Sequence, residues 1–302
     1  MRKIIIDTDT ATDDAIAIIM ALKNNDFDVK AITTIAGNVD LDLATNNALY
    51  ICELCEKKIP VYKGESGPLH RKLETSKFFH GKDGLGDTGP YNPKNLAEKE
   101  NAIDKIIELI NQNPNEIEMI AIGPLTNIAK VFIKDSSVIN KIKGLYIMGG
   151  IGEGKGNITE HAEFNFWVDP DAADIVLNSN IEIKMIAWDT TQIYGYLNKD
   201  NFNDIEKIGN PLSKFSIDIQ RRGLEYYKIK YNEHKIDLAD PLAMAVMINE
   251  SGTEYKKCKI KIVLKGDERG KDIIRFTEKG NIKLASKISR SNFLNTLKKS
   301  LV

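Results

Sequence analysis

The chain has 302 residues and a mass of 33.8 kDa, with 42% hydrophobic and 28% charged residues. That composition excludes a disordered chain, a collagen and a disulfide miniprotein, and the length allows a large core. Lys plus Arg (42) and Asp plus Glu (43) nearly cancel to a formal charge of -1, leaving no general electrostatic footprint for nucleic acid or an anionic membrane.

Residues 3–6 are a continuous β-branched apolar run, as in a strand buried on both faces. Helical spacing follows over 13–24, with Ala15, Ile18, Ile19 and Leu22 on one stripe. Residues 29–36 read as a second strand, 41–55 as a helix and 60–62 as a short third strand. This β-α-β-α-β order implies a parallel sheet with helices on its faces. The alternation continues with a helix over 102–111, a strand over 117–122, a helix over 125–134 and a strand over 145–148. Pro170 opens a helix over 170–178, a residue suited to the first helical turn. A strand over 183–187 and helices over 213–227 and 241–249 come next. Residues 258–264 and 272–276 predict a hairpin around Gly266 and Gly270, and 291–301 a closing helix.

Three long irregular stretches, 64–91, 149–165 and 192–211, are expected to be lids or binding loops. No composition break or repeat divides the chain. The expectation is one α/β domain over 1–302: a mostly parallel, Rossmann-like open sheet flanked by helices, with a small C-terminal β-hairpin. No run approaches the ~18 apolar residues of a membrane span. The apolar run near Met1 is too short for a signal segment. Three cysteines point to a reducing, cytoplasmic setting. Cys52 and Cys55 form a C-x-x-C inside a predicted helix. With only a distant Cys258 they do not complete a zinc site, and they read as half-buried helix cysteines.

Asp7, Asp9, Asp13 and Asp14 fall within eight residues, at the carboxyl end of the first strand. Ligands of open α/β sheets sit at that end. One aspartate at a helix start is ordinary capping; four together repel unless a positive charge lies among them, and a hard divalent cation held by oxygens is the economical solution. Two reaction classes fit. Asp7-Thr8-Asp9-Thr10 resembles the D-x-D part of the D-x-D-x-T core of haloacid-dehalogenase phosphatases, in which the first aspartate is the nucleophile, although Ala11 stands at the threonine position. The doublet Asp13-Asp14 lies outside that motif and points instead to metal-assisted hydrolysis.

Six separated motifs then resemble the inosine–uridine preferring nucleoside hydrolases. They are Asp7-Thr8-Asp9-Thr10-Ala11-Thr12-Asp13-Asp14-Ala15, Gly37-Asn38-Val39, His80-Gly81-Lys82-Asp83-Gly84-Leu85, Gly123-Pro124-Leu125-Thr126-Asn127, Asn157 with Ala162-Glu163-Phe164-Asn165 and Val168-Asp169-Pro170, and Asp240-Pro241-Leu242-Ala243. The resemblance implies hydrolysis of the N-glycosidic bond of ribonucleosides, by a homodimer or homotetramer. It implies that Asp9, Asp14, Asp240 and the carbonyl of Ile122 bind Ca2+, with Asp9 also taking the proton of water. It further implies that Asp13, Asn38, Asn157, Glu163 and Asn165 grip the ribose, that Phe164 packs by sugar or base, and that His80 lies near the base on a mobile loop. The chemistry agrees, since an oxocarbenium-like state is stabilised by nearby carboxylates.

The sequence departs from the pattern in two places. Ala239 stands where many members carry the histidine that protonates the departing base, and alanine transfers no proton. His80, His161, His234, or the pair Tyr227 and Tyr231 as stacked aromatics, are the candidates to replace it. A nucleoside-binding protein with weakened catalysis is therefore an alternative, with the phosphatase a third reading. Thr10-Ala11 replaces the usual Pro-Gly, so the turn must avoid positive φ or strain Ala11. Trp167 and Trp188 read as core residues.

Overall fold

Ile4, Ile5 and Ile6 are each fully buried, with Ile4 and Ile6 in one hydrophobic core and Ile5 in the other. Side chains alternate across a strand, so a run apolar at every position must be covered on both faces. In the computed structural model, which describes residues 1–302, this run forms β1 (Arg2–Thr8). It pairs in parallel with β2 (Phe27–Thr34) and β4 (Ile117–Ala121). Beyond β2 lies β3 (Val61–Lys63); beyond β4 lie β5 (Gly144–Met148) and β6 (Ile183–Ile186). The six strands are all parallel.

One core contains the first helix, Thr12–Leu22, packed against Ala239–Ile248. The other contains Ala102–Gln112, Thr126–Lys134 and Pro170–Leu177. From β1 the chain moves outward to β2 and β3, then returns to the other side of β1 for β4. That reversal makes a topological switch point between β1 and β4, and a crevice opens outside their carboxyl ends.

The structure corrects the sequence reading in three regions. The expected helix over 213–227 is two helices, Pro211–Asp218 and Arg221–Tyr231. Between them the Gln220 side chain turns inward and donates to the Thr12 carbonyl at 2.9 Å. The expected loop over 192–211 holds β7 (Tyr196–Asn198) and the helix Lys199–Glu206. β7 pairs antiparallel with β8 (Lys235–Asp237) in a separate two-stranded sheet. Strands of three residues are too short to display a period.

The C-terminal hairpin of β9 (Glu254–Ile262) and β10 (Asp272–Phe276) forms, but as the edge of the main sheet. β11 (Ile282–Lys287), unrecognised in the sequence because lysine and serine interrupt it, joins β9 antiparallel and β6 in parallel. The sheet therefore has nine strands, in the order β10-β9-β11-β6-β5-β4-β1-β2-β3. No helix is long and apolar enough to cross a membrane.

Candidate active site

β1 delivers its acids to two different places. Asp7 Oδ1 accepts hydrogen bonds from Thr33 Oγ1 at 2.5 Å and Asn127 Nδ2 at 2.8 Å. Burial raises its pKa to about 6, and it is not on the cavity wall. Asp9 lies past the strand's end, where Oδ2 accepts from the Asn38 N–H at 2.6 Å and Oδ1 is buried without a partner. Backbone closes around this carboxylate. A Cβ on Gly37 would fall 2.2 Å from Asp9 Oδ2, and one on Gly123 would fall 2.8 Å from Oδ1.

Asp13 and Asp14 occupy the first turn of Thr12–Leu22, whose exposed N–H groups favour anions. Asp14 Oδ1 accepts from Thr8 Oγ1 at 2.6 Å, and Oδ2 accepts from the Ala11 N–H at 2.9 Å and Asn38 Nδ2 at 3.3 Å. Ala11 is extended, with φ -119°, so the Thr10-Ala11 turn needs no left-handed residue. Asp240 enters from the first turn of Ala239–Ile248. Oxygens of Asp13, Asp14 and Asp240 lie within 4.8 Å of one another. Asp13, expected on the ribose, is thus part of the tightest acidic group, and Asp9 stands beside it.

Burial and then mutual repulsion raise Asp9 and Asp240 well above the ordinary carboxylate range, and Asp13 to about 7. Such a group is costly without a cation. Its donors are all oxygens and two of them, Asp9 Oδ1 and Asp13 Oδ1, are buried and free; the set suits a hard divalent ion. The Ile122 carbonyl, on the same wall, accepts from Asn165 Nδ2 at 3.4 Å.

Asp13 and Asp240 form the floor of a cavity of about 310 Å³ that also takes in Asn38, Asn157, Glu163, Phe164 and Asn165, and Asp9 and Asp14 are buried next to them, off its wall. Asn38 Oδ1 is held by Ser76 Oγ at 2.6 Å, and Asn157 Oδ1 accepts from the Phe164 N–H at 2.9 Å. Glu163 caps the helix Phe164–Val168 as well as lining the cavity. Both its oxygens are engaged by backbone N–H groups of Gly150, Asn165 and Phe166, yet burial raises its pKa to about 7.

The far end is aromatic. His80 is buried on the short helix Lys77–His80, not carried on an open loop, and its Nδ1 shares a 2.7 Å hydrogen bond with Thr12 Oγ1. Burial lowers its pKa to about 3, which keeps the imidazole neutral. Tyr227 and Tyr231 both reach the cavity, but their rings meet at 60° with centroids 5.4 Å apart, so they do not form the stacked pair expected. Ala239 is on the wall; His161 and His234 are not.

The polar wall residues missed by the sequence reading include Asp237, Gln192, Ser76, Lys155, Tyr226 and Glu233. Asp237 alone left a signal, as an acid three residues before Asp240. Trp188 combines its expected core position with a place on the wall. Trp167 is half-buried at the surface, with the Arg269 guanidinium 4.0 Å above its ring. Cys52, Cys55 and Cys258 are free and fully buried, and burial pushes the first two thiols up to about 12, which leaves no thiolate for metal or redox chemistry near neutral pH.

A cavity at a switch point, floored by carboxylates and walled by amides and aromatic rings, defines an α/β enzyme acting on a small polyhydroxylated ligand. Comparison with known proteins carries this further. The inosine-uridine preferring nucleoside hydrolase family matches residues 4–295. A probable uridine nucleosidase 2 of Oryza sativa subsp. japonica is 34% identical over 273 residues, covering 89% of this chain and 80% of the relative. A pyrimidine-specific ribonucleoside hydrolase RihA of Shewanella sp. (strain ANA-3) is 35% identical, covering 85% and 81%. The solved plant nucleoside hydrolase PpNRh1 superposes with a TM-score of 0.95 at 31% identity, over 99% of this chain and 98% of that one.

The chain belongs to the inosine-uridine preferring nucleoside hydrolase family. It is a hydrolase of the ribonucleoside N-glycosidic bond. The phosphatase reading, which needs Asp7 as nucleophile, and the binding-only reading both give way.

Proposed function

We propose that the hydrolysis is Ca2+-dependent and that Asp9, Asp14, Asp240 and the Ile122 carbonyl hold the ion, with Asp13 close enough to share it. The observation that carries this reading is the free, buried Asp9 Oδ1 beside three carboxylates within 4.8 Å of one another. When bound, the ion supplies the positive charge that lets these acids ionise together, and it acidifies neighbouring water. Asp9 then accepts the water's proton as the oxygen attacks C1′. Asp13, Asn38, Asn157, Glu163 and Asn165 hold ribose hydroxyls, for which amides that both donate and accept are suited. The same negative groups stabilise charge as the sugar becomes oxocarbenium-like. Phe164 packs against the sugar, and His80 meets the ligand as a neutral imidazole.

Uridine is the substrate to try first, because the two relatives described above are named for uridine and for pyrimidine ribonucleosides. Ribose release by Asp9→Asn and Asp240→Asn tests the reading. Loss of one strong electrostatic contact removes about 3–4 kcal/mol of transition-state stabilisation, so each variant should be slowed by roughly 100-fold to 1,000-fold. Near-normal turnover in either removes the assignment. A cytoplasmic homodimer or homotetramer is the working form we infer; sedimentation of the purified chain checks the assembly.

A further inference from the structure

We propose that Tyr227, backed by Asp237, is the proton donor to the departing base. This inference rests on the hydrolytic reading above. Breaking an N-glycosidic bond leaves the electron pair on the base nitrogen, and the reaction is slow unless a proton meets it. At the aromatic end of the cavity several groups are poor sources of that proton. Ala239 has none to give, Phe78 and Phe79 are hydrocarbon, and His80 is a neutral ring already bonded to Thr12.

Tyr227 is different. It is 7% exposed, lines the cavity, and its hydroxyl lies 3.0 Å from Asp237 Oδ2. The second oxygen, Asp237 Oδ1, is buried with no hydrogen-bond partner. With no hydrogen bond to satisfy it, that oxygen has room to carry a proton, against the pull of Lys235, 3.7 Å away.

The placement fits a nucleoside bound with its sugar on the acids. Asp237 ends β8, and Asp240 is three residues on, so their α-carbons are at most about 11 Å apart. The groups facing Asp237 are Tyr227 from the helix Arg221–Tyr231, with Tyr231 beyond it against the Tyr227 ring, Tyr196 opposite it on β7, Lys235 with Nζ 3.7 Å from Oδ1, and Glu233. Burial outweighs the pull of Lys235 and raises the carboxyl to about 6. With the carboxyl protonated, the 3.0 Å contact reverses. Asp237 donates to the Tyr227 oxygen, and the tyrosine hydrogen is free to point into the cavity.

The transfer balances. The C1′–N bond breaks and its pair goes to the base nitrogen. The Tyr227 hydroxyl proton passes to the base, the Asp237 proton passes to the Tyr227 oxygen, and Asp237 is left as a carboxylate that regains a proton from water. Tyr227 touches the substrate; Asp237 acts through it.

The test compares two leaving groups in the full chain with Ca2+ present. Uridine and inosine leave as poor anions, whereas p-nitrophenyl β-D-riboside releases a stable phenolate that needs no acid. Tyr227→Phe should lower kcat on the two nucleosides by about 100-fold, the lower range for lost acid catalysis, and by less than about 10-fold on the nitrophenyl riboside. Asp237→Asn should reproduce that split, with KM little changed. Retained cleavage of the nitrophenyl substrate shows that each variant is folded with its sugar site intact. Equal losses on all substrates, or no loss on nucleosides, overturns the proposal. A wild-type chain that cleaves neither class with metal present refutes the hydrolytic reading itself, and this inference with it.

Discussion

Asp7 and Asp9 stand two residues apart and are chemically opposite. Asp7 is tied on Oδ1 by Thr33 and Asn127, whereas its Oδ2 has no partner. Asparagine at this position can keep both bonds through its own Oδ1 and remove the buried charge. Folding raises the Asp7 pKa from 3.8 to about 6. A raised carboxyl stabilises fully below its unfolded value, and that contribution is lost as pH rises through the folded value. Between pH 4 and 8 the wild type therefore loses up to roughly 3 kcal/mol at this group. Asp7→Asn should flatten that loss, and melting curves at both pH values check it. Ribose release by the variant should persist, because Asp7 is bonded to Thr33 and Asn127 and stands outside the group formed by Asp9, Asp13, Asp14 and Asp240; its abolition would restore a nucleophilic role. The sequence made the four acids conspicuous through their spacing, but it carried no sign of which one turns away, since that depends on Thr33 and Asn127, distant in the chain.

Elements set the precision of the site. The loops after β2 and β4 approach Asp9 so closely that glycine is the only residue that fits at positions 37 and 123. Gly123→Ala would place a methyl 3.0 Å from the Asp9 backbone nitrogen as well as against its carboxylate. It should weaken Ca2+ binding and ribose release by at least about 10-fold, read by calorimetry and turnover, because misplacing a reacting group by about 1 Å costs up to about 100-fold. Phe166 plays a packing role behind the same wall. It is fully buried, with its ring against Gly149 and Gly150, and Phe166→Ala should cost about 3–5 kcal/mol in urea unfolding. The long buried strands were legible because three adjacent isoleucines allow few alternatives. β7, β8 and β11 were not, because each is short or interrupted by lysine and gains its place only by pairing with a partner far along the chain. Asp237 was overlooked for that reason: its position depends on β8, which depends on β7.

At the scale of the whole molecule, the order of strands makes the site. β1 and β4 are neighbours in space and 109 positions apart from Thr8 to Ile117. Their ends bring Asp9 and Ile122 together, and the chain returns through β8 to add Asp240. This gathering could be inferred from resemblance, since six motifs scattered over the sequence make sense only if they meet. It was not derivable from local pattern. An acidic floor assembled from such distant segments couples ion binding to folding. Ca2+ at about 100 times its Kd should raise stability by roughly 2.7 kcal/mol, and chelation should lower the melting temperature accordingly.

The most direct measurement is ribose release from uridine by chelator-stripped protein as Ca2+ is returned. Activity should be absent after stripping and should recover along a saturable curve that reaches its plateau with one ion per chain. Full activity in protein shown to be free of divalent metal would contradict the claim that these carboxylates work by holding a cation.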